Sequence, residues 1–104
     1  MSSCPPDKII LTASKIACKQ IDNEYRALCF DYYEDSRNGT VFIGVRPDGT
    51  KLLIKNKDEY TSNIVKVYKV SDERGVDHFI FATENSVYVT VSTIKTMKAT
   101  QDYD

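Results

Sequence analysis

The sequence has no tryptophan, a single histidine and only four glycines in 104 residues. One histidine, His78, excludes any metal site that needs two histidine ligands. The glycines stand alone, so the chain contains neither G-x-G-x-x-G nor G-x-x-x-x-G-K, the patterns that cradle nucleotide phosphates. We therefore predict no metal, no cofactor and no catalytic residues.

Long apolar runs and an excess of one charge are also missing. No run reaches the length of about 18 apolar residues that a membrane helix needs, so we predict no membrane contact. Fourteen basic and 15 acidic side chains leave a net charge of −1, which disfavours nucleic acid as a partner without excluding it. With 41% apolar residues the chain is not intrinsically disordered. We predict a single domain over residues 1–104.

The chain has three cysteines, and their spacing contains no motif of paired cysteines. Cys4, Cys18 and Cys29 form no C-x-x-C pair, and the amino terminus lacks the basic and apolar regions of a secretory leader. These features predict free thiols and a cytoplasmic location. Cys18 and Cys29 both fall in apolar surroundings, where we interpret them as small buried hydrophobes.

A helix is predicted over residues 7–21, after a leader at residues 1–6. Pro5 and Pro6 suit the entry to a helix because proline fixes φ. Apolar side chains then recur every three or four residues, as in one face of an amphipathic helix. They are Ile9, Ile10, Ala13, Ile16, Ala17 and Ile21.

Downstream of residue 25 the hydrophobic period changes to two, which is typical of strands. Asn38-Gly39, Pro47-Asp48-Gly49 and Glu73-Arg74-Gly75 are turn sequences between these runs. The predicted strands lie near residues 28–32, 40–46, 51–55, 64–70, 76–83 and 87–92. Val87, Val89 and Val91 alternate with polar residues and should face the core.

Short connections favour antiparallel pairing, because parallel neighbours need long crossovers. We therefore predict an α+β fold in which the N-terminal helix packs on a six-stranded antiparallel meander over residues 26–94. The sheet would be either open and curled or a half-closed barrel. Residues 98–104 are polar and predicted to form a flexible tail.

Seven tyrosines make the strongest functional signal. Tyrosine combines a large apolar ring with a polar tip and is common at recognition surfaces. Tyr32, Tyr33, Tyr68 and Tyr88 lie on predicted strands where they could face outward, although tyrosines at the rim of a core would show the same pattern. The leading hypothesis is a non-enzymatic protein-binding domain of the adaptor, inhibitor or immunity type. It would act through a sheet face or an edge strand, on another protein or on a second copy in a homodimer.

The alternative hypothesis is an anion-binding or RNA-binding domain. It would use a surface made of Lys51, Lys55, Lys57, Lys66 and Lys69, provided that the strands carrying them are neighbours. Lysine on an edge strand also has a simpler role, since it discourages pairing with other molecules.

Two further features have simple structural interpretations. Asp31, Glu34 and Asp35 lack the spacing of a calcium loop and are interpreted as a solvated acidic turn. His78, a lone histidine on a predicted strand, is interpreted as structural or as a surface residue.

Overall fold

The structure is a computed structural model that describes residues 5–18, 27–56 and 58–99. Its elements in chain order are α1 (Asp7–Cys18), β1 (Ala27–Cys29), α2 (Tyr33–Arg37), β2 (Phe42–Val45), β3 (Lys51–Asn56), β4 (Glu59–Tyr60), β5 (Ile64–Ser71), β6 (Asp77–Thr83), β7 (Ser86–Val91) and β8 (Lys95–Lys98). The protein has an α+β fold with one main helix and mixed strand pairing.

Helix α1 confirms the predicted N-terminal amphipathic helix. The Pro6 carbonyl accepts hydrogen bonds from the N–H groups of Ile9 (2.9 Å) and Ile10 (3.0 Å), so the chain enters the helix from the proline pair. Ile9, Ala13, Ile16 and Ala17 form the buried face. Residues 19–21 of the predicted helix and 1–4 of the predicted leader lie outside the described residues.

The single six-stranded meander is wrong. In the described part of the chain the strands form two four-stranded sheets. Sheet 1 has the order β1-β7-β6-β5 and sheet 2 the order β4-β3-β2-β8. Two of the pairings, β1 with β7 and β2 with β8, are parallel. The hairpins β2–β3, β5–β6 and β6–β7 are antiparallel as predicted.

The predicted hairpin between residues 28–32 and 40–46 does not form. Residues Tyr33–Arg37 adopt the short helix α2 instead, and β1 pairs in parallel with β7, with Leu28 opposite Val87. The hydroxyl of Ser36 donates to the Tyr33 carbonyl (2.6 Å) and accepts the N–H of Val91 (3.1 Å). This hydroxyl holds α2 against the end of β7, a contact between residues 55 positions apart.

The predicted end of the sheet is also wrong. Strand β8 lies beyond residue 94, its Lys95 is opposite Phe42 of β2, and it includes Lys98 from the predicted tail. The N–H of Ala99 donates to the Val45 carbonyl (2.9 Å), which extends this contact by one residue. Residues 100–104 of the predicted tail lie outside the described residues.

Sheet 1 lies between α1 and sheet 2. On one face of β6, Ile80 and Ala82 join a buried cluster with Ile9 and Ala13 of α1. Val87 and Val89 belong to the same cluster and are fully buried, whereas Val91 is half-buried.

On the opposite face of β6, Phe81 packs with Leu53 of sheet 2 and with Tyr32 and Val41. The prediction that the helix covers one sheet face is confirmed, and sheet 2 covers part of the other.

Gly44 of β2 has a packing role. A Cβ at this position would clash with Cδ1 of Ile54 and would lie 3.3 Å from its Cγ1. Ile54 is buried, so its side chain has little room to move away.

We expect Gly44→Ala to lower the free energy of unfolding by about 1–3 kcal/mol, because overpacking outweighs the gain of about 0.5–1 kcal/mol from replacing a strand glycine. Ile54→Val removes the clashing Cδ1 and should cost about 0.5–1.5 kcal/mol by itself. In the Ile54→Val background, Gly44→Ala should therefore cost clearly less. Urea unfolding of the four proteins measures this coupling, and an equal cost in both backgrounds would contradict the packing role.

Candidate functional site

The four sheet edges of the described chain differ in length. Strands β1, β4 and β8 have three, two and four residues, whereas β5 has eight. An edge strand presents unpaired backbone N–H and C=O groups that another strand can bind. Only β5, among these edges, is long enough to pair with several residues of a partner.

Strand β5 is regular over most of its length. Val65 is the extra residue of a β-bulge, since Ile64 lies opposite Thr83 and Lys66 opposite the next residue, Ala82. From Lys66 to Ser71 the register with β6 continues without interruption. The outer side of this six-residue stretch is the candidate interaction edge.

The two faces of β5 have different surroundings. Tyr68 and Val70 pack against the cluster beneath α1. Val67 lies opposite Phe81 of β6, on the sheet face that packs against sheet 2. Sheet 2 covers Phe81, but the Val67 side chain is 48% exposed. Val65 is exposed to a similar degree. Val67 on the candidate edge and Val65 just before it are thus apolar side chains that sheet 2 leaves exposed.

Of the four predicted binding tyrosines, two are buried. Tyr32 precedes α2 and Tyr33 begins it, so neither lies on a strand, and they are only 7% and 5% exposed. Burial raises the pKa of Tyr32 to about 12 and also raises the pKa of Tyr33. The prediction that these two rings face outward from strands is wrong, because α2 turns both into the core.

Tyr88 and Tyr68 are half-buried. The Tyr88 ring centroid lies 5.3 Å from that of Tyr32, and burial raises the pKa of its hydroxyl. Tyr68 lies on the candidate edge, and the ammonium nitrogen of Lys66 is 5.4 Å from the centroid of its ring. Tyr68 is therefore the one of the four predicted tyrosines that belongs to an edge strand.

The predicted lysine surface is divided between the two sheets. Lys51 and Lys55 lie on β3 of sheet 2, and Lys66 and Lys69 on β5 of sheet 1. Lys57 lies outside the described residues.

Two of these lysines have acidic neighbours. Nζ of Lys55 is 3.0 Å from a carboxylate oxygen of Asp35 and 3.6 Å from one of Glu59. Nζ of Lys69 is 3.5 Å from Asp77. The strands β3 and β5 belong to different sheets but contact each other, so the anion-binding alternative stays a prediction.

The carboxylates near α2 are likewise engaged in ion pairs. Glu34 lies 3.4 Å from Arg37, and Asp35 belongs to the Lys55 pair. In the described ranges no three His, Cys, Asp or Glu side chains come together as a metal site would require. Cys29 is half-buried but Cys18 is exposed, so the burial predicted for Cys18 is wrong.

A buried polar group that the sequence analysis missed lies at the β5–β6 turn. Asp72 follows β5, and its Oδ1 accepts the main-chain N–H groups of Arg74 (2.8 Å) and Val76 (3.0 Å). Its Oδ2 lies 2.8 Å from Nη2 of Arg74 and 3.1 Å from Nε2 of His78. The sequence feature that could have indicated this group is an aspartate at the first position of the turn that contains Gly75. Aspartate side chains at such positions commonly accept hydrogen bonds from main-chain N–H groups of the turn.

His78 lies in the wall of a cavity of about 450 Å³. Tyr33, Arg37, Asp72 and Arg74 also line this cavity, which we call the His78 cavity. The Tyr33 and His78 rings are stacked with centroids 6.0 Å apart. Helix α2 and the β5–β6 turn thus both contribute to its wall.

Comparisons with protein families, curated proteins and solved structures found no match to this chain. In the ranges that the structure describes, no helix has the length and apolar character required to cross a membrane.

Asp72 should make stability depend on pH. The pKa of Asp72 lies well below its usual range, chiefly because the Arg74 guanidinium donates a hydrogen bond to the carboxylate. Burial opposes this shift, whereas hydrogen bonds from the Val76 N–H and His78 add to it. A lowered pKa in the folded state stabilises the protein above the unfolded-state pKa of about 4, and this stabilisation is lost as pH falls below it.

We expect Asp72→Asn to be clearly less stable than the wild type at pH 7, with the difference shrinking as the pH falls from about 5 towards 3. Denaturant unfolding across this range measures the effect. Glu73→Gln removes an exposed carboxylate from the same turn and is the matched control, with a change within about 0.5 kcal/mol. An Asp72→Asn difference that stays constant with pH would contradict the role of the charge.

Proposed function

We propose that the protein is a non-enzymatic binding domain that takes up an extended segment of another protein along β5. The supporting observation is the length of this edge, eight residues against two to four at the other sheet edges of the described chain. In strand addition, main-chain hydrogen bonds supply affinity and alternate side chains supply specificity.

The regular stretch from Lys66 to Ser71 sets the length of the bound segment. At about 3.4 Å per residue, six residues extend about 20 Å, the length of an ordinary strand. The bulge at Val65 interrupts the ladder before this stretch, so pairing begins after it.

Side chains on the edge define the chemistry of the partner. Val67 offers apolar contact on one face, the face that also carries half-buried Phe79 of the neighbouring strand β6. On the other face the Lys66 ammonium lies over the Tyr68 ring. A segment that alternates apolar residues with carboxylates would match both faces, because its apolar side chains would lie on the Val67 face and its acidic side chains on the Lys66 face.

The same lysines favour a different chain over a second copy. Two copies joined through β5 would bring the ammonium groups of Lys66 and Lys69 from both chains to one seam. Like charges across a strand pair are destabilising, and lysines on edges commonly prevent self-pairing. An acidic partner meets the opposite charge at this edge.

Selection from a library of displayed linear peptides against the purified protein tests the proposal. We expect enriched peptides to alternate apolar and acidic residues and to perturb amide NMR signals along residues 64–71. Val67→Lys should weaken binding about tenfold or more, because it places a charge in the apolar contact. Tyr68→Ala should also weaken binding.

Met97→Lys is the matched control, since Met97 is 50% exposed on β8, the edge of the other sheet. It should leave peptide binding unchanged. Loss of binding in Met97→Lys with retention in Val67→Lys would overturn the assignment to β5. Sedimentation that shows a dimer abolished by Val67→Lys would replace the foreign partner with a second copy.

A further inference from the structure

The hydrogen bonds of the β5–β6 turn determine which main-chain groups of β5 point away from β6. The N–H of Asp72 donates to the Val76 carbonyl (2.9 Å), and the N–H of Gly75 donates to the Asp72 carbonyl (3.0 Å). In an antiparallel pair, residues that bond to their partner alternate with residues whose N–H and C=O groups both point outward. The main chain of Asp72 is directed toward the β6 side, so that of Ser71, the residue before it, is directed away.

This alternation continues along the regular stretch of β5. From residue 66 to residue 71 the register with β6 has no irregularity. Every second residue therefore has the outward orientation of Ser71. These outward residues are Val67, Lys69 and Ser71. The residues between them direct their main-chain groups to β6.

A hydrogen bond on the far side of β6 supports the same assignment. Val91 of β7 lies opposite His78 of β6, but its N–H donates to the Ser36 hydroxyl (3.1 Å) and not to β6. The main-chain groups of His78 are then directed to β5, where His78 lies opposite Val70. Val70 thus points inward, and its two neighbours on β5 point outward.

The three outward residues also share one face of sheet 1. Side chains of alternate strand residues point the same way, so Lys69 and Ser71 lie on the face of Val67. Val67 is 48% exposed on this face, so a strand added beside it is open to solvent there. Antiparallel sheets commonly have one solvated face, whereas parallel sheets occur almost only where both faces are covered. The exposed face therefore favours antiparallel addition.

Antiparallel pairing determines which partner residues bond to β5. A partner residue directly opposite an outward residue exchanges both main-chain hydrogen bonds with it and places its side chain on the same face. On the Val67 face those side chains are the apolar ones of the alternating segment. In a parallel pair the residues on the other face, which are the acidic ones, would make the bonds instead.

We propose that the partner segment runs antiparallel to β5, and that its apolar residues make the main-chain hydrogen bonds to Val67, Lys69 and Ser71. This inference rests on the proposed function and gives the direction and register of the bound segment. Each outward residue offers one N–H and one C=O group. The Lys69 ammonium is already 3.5 Å from a carboxylate oxygen of Asp77, so its stem accepts an apolar neighbour on this face.

Amide hydrogen exchange of the protein alone tests the alternation. We expect the N–H groups of Val67, Lys69 and Ser71 to exchange at least about tenfold faster than those of Tyr68 and Val70, which bond to β6. Equal protection along the stretch would overturn the register and this inference, while the proposed function would stand.

The probe for the bound state is the acetylated and amidated peptide Glu-Val-Glu-Val-Glu-Val-Glu. N-methylation of its central valine should weaken binding about tenfold or more, because it removes a donor and places a methyl group between the strands. N-methylation of an adjacent glutamate should change binding by less than about threefold, because that N–H points to solvent. Shifts of the amide NMR signals along residues 64–71 measure these affinities.

A matched pair of variants tests the same bonds from the side of the protein. Lys69→Pro removes an outward N–H without removing a bond to β6, and edge strands accept proline in this orientation. It should weaken binding of the unmodified peptide about tenfold or more. Lys69→Ala keeps the N–H and should bind within about threefold of the wild type. The N-methylated peptides keep the proposal testable whatever the stability of Lys69→Pro.

Three binding results would overturn the inference. A greater loss from the N-methylated glutamate than from the N-methylated valine would indicate a parallel segment or a segment with its faces exchanged, and the proposed function would stand. Equal binding of the three peptides would indicate a segment held by side chains alone. No shift along residues 64–71 with any of them, at about 1 mM peptide, would overturn the proposed function together with the inference.

Discussion

Burial of β6 on both faces is the constraint on which the rest of the fold depends. Ile80, Phe81 and Ala82 follow one another along this strand and are all buried. Since consecutive strand residues point to opposite faces, both sides of sheet 1 need cover. Helix α1 covers Ile80 and Ala82, and Leu53 of sheet 2 covers Phe81. A single sheet with one helix would have left the Phe81 side in water, so the second sheet is a physical requirement.

The same arrangement explains where the candidate interaction edge and the His78 cavity lie. Sheet 2 covers Phe81 but leaves Val67, its neighbour on β5, about half exposed, so the long edge of sheet 1 extends past the cover. His78 lies on the helix side of β6, opposite Val70 and Val91, where the strand approaches its turn. A polar ring that far inside the layers needs a partner, and Asp72 provides one because the turn folds it back toward the strand.

Local sequence signals predicted the local structure well. The spacing of Ile9, Ala13 and Ile16 predicted α1, and the turns at Gly49 and Gly75 predicted two hairpins. The parallel pairings of β1 and β8 could not be predicted in this way, because nothing within a three- or four-residue segment identifies a partner strand far along the chain. An antiparallel meander was the simplest assembly of the hairpins, and it failed where these short strands join distant elements.

The candidate sites were less visible than the fold, for a related reason. Tyrosine marks recognition surfaces only where it is exposed, and the exposure of Tyr32 and Tyr33 depends on α2, which alternation alone did not indicate. Lysine gave the better signal. Lys66 and Lys69 lie on opposite faces of one strand, where a central strand buried on both faces would not tolerate them. Their charges are compatible with an edge strand, so lysine on both faces marks β5 as an edge in the sequence. If β5 takes up a partner strand as proposed, the same charges favour a partner of opposite charge.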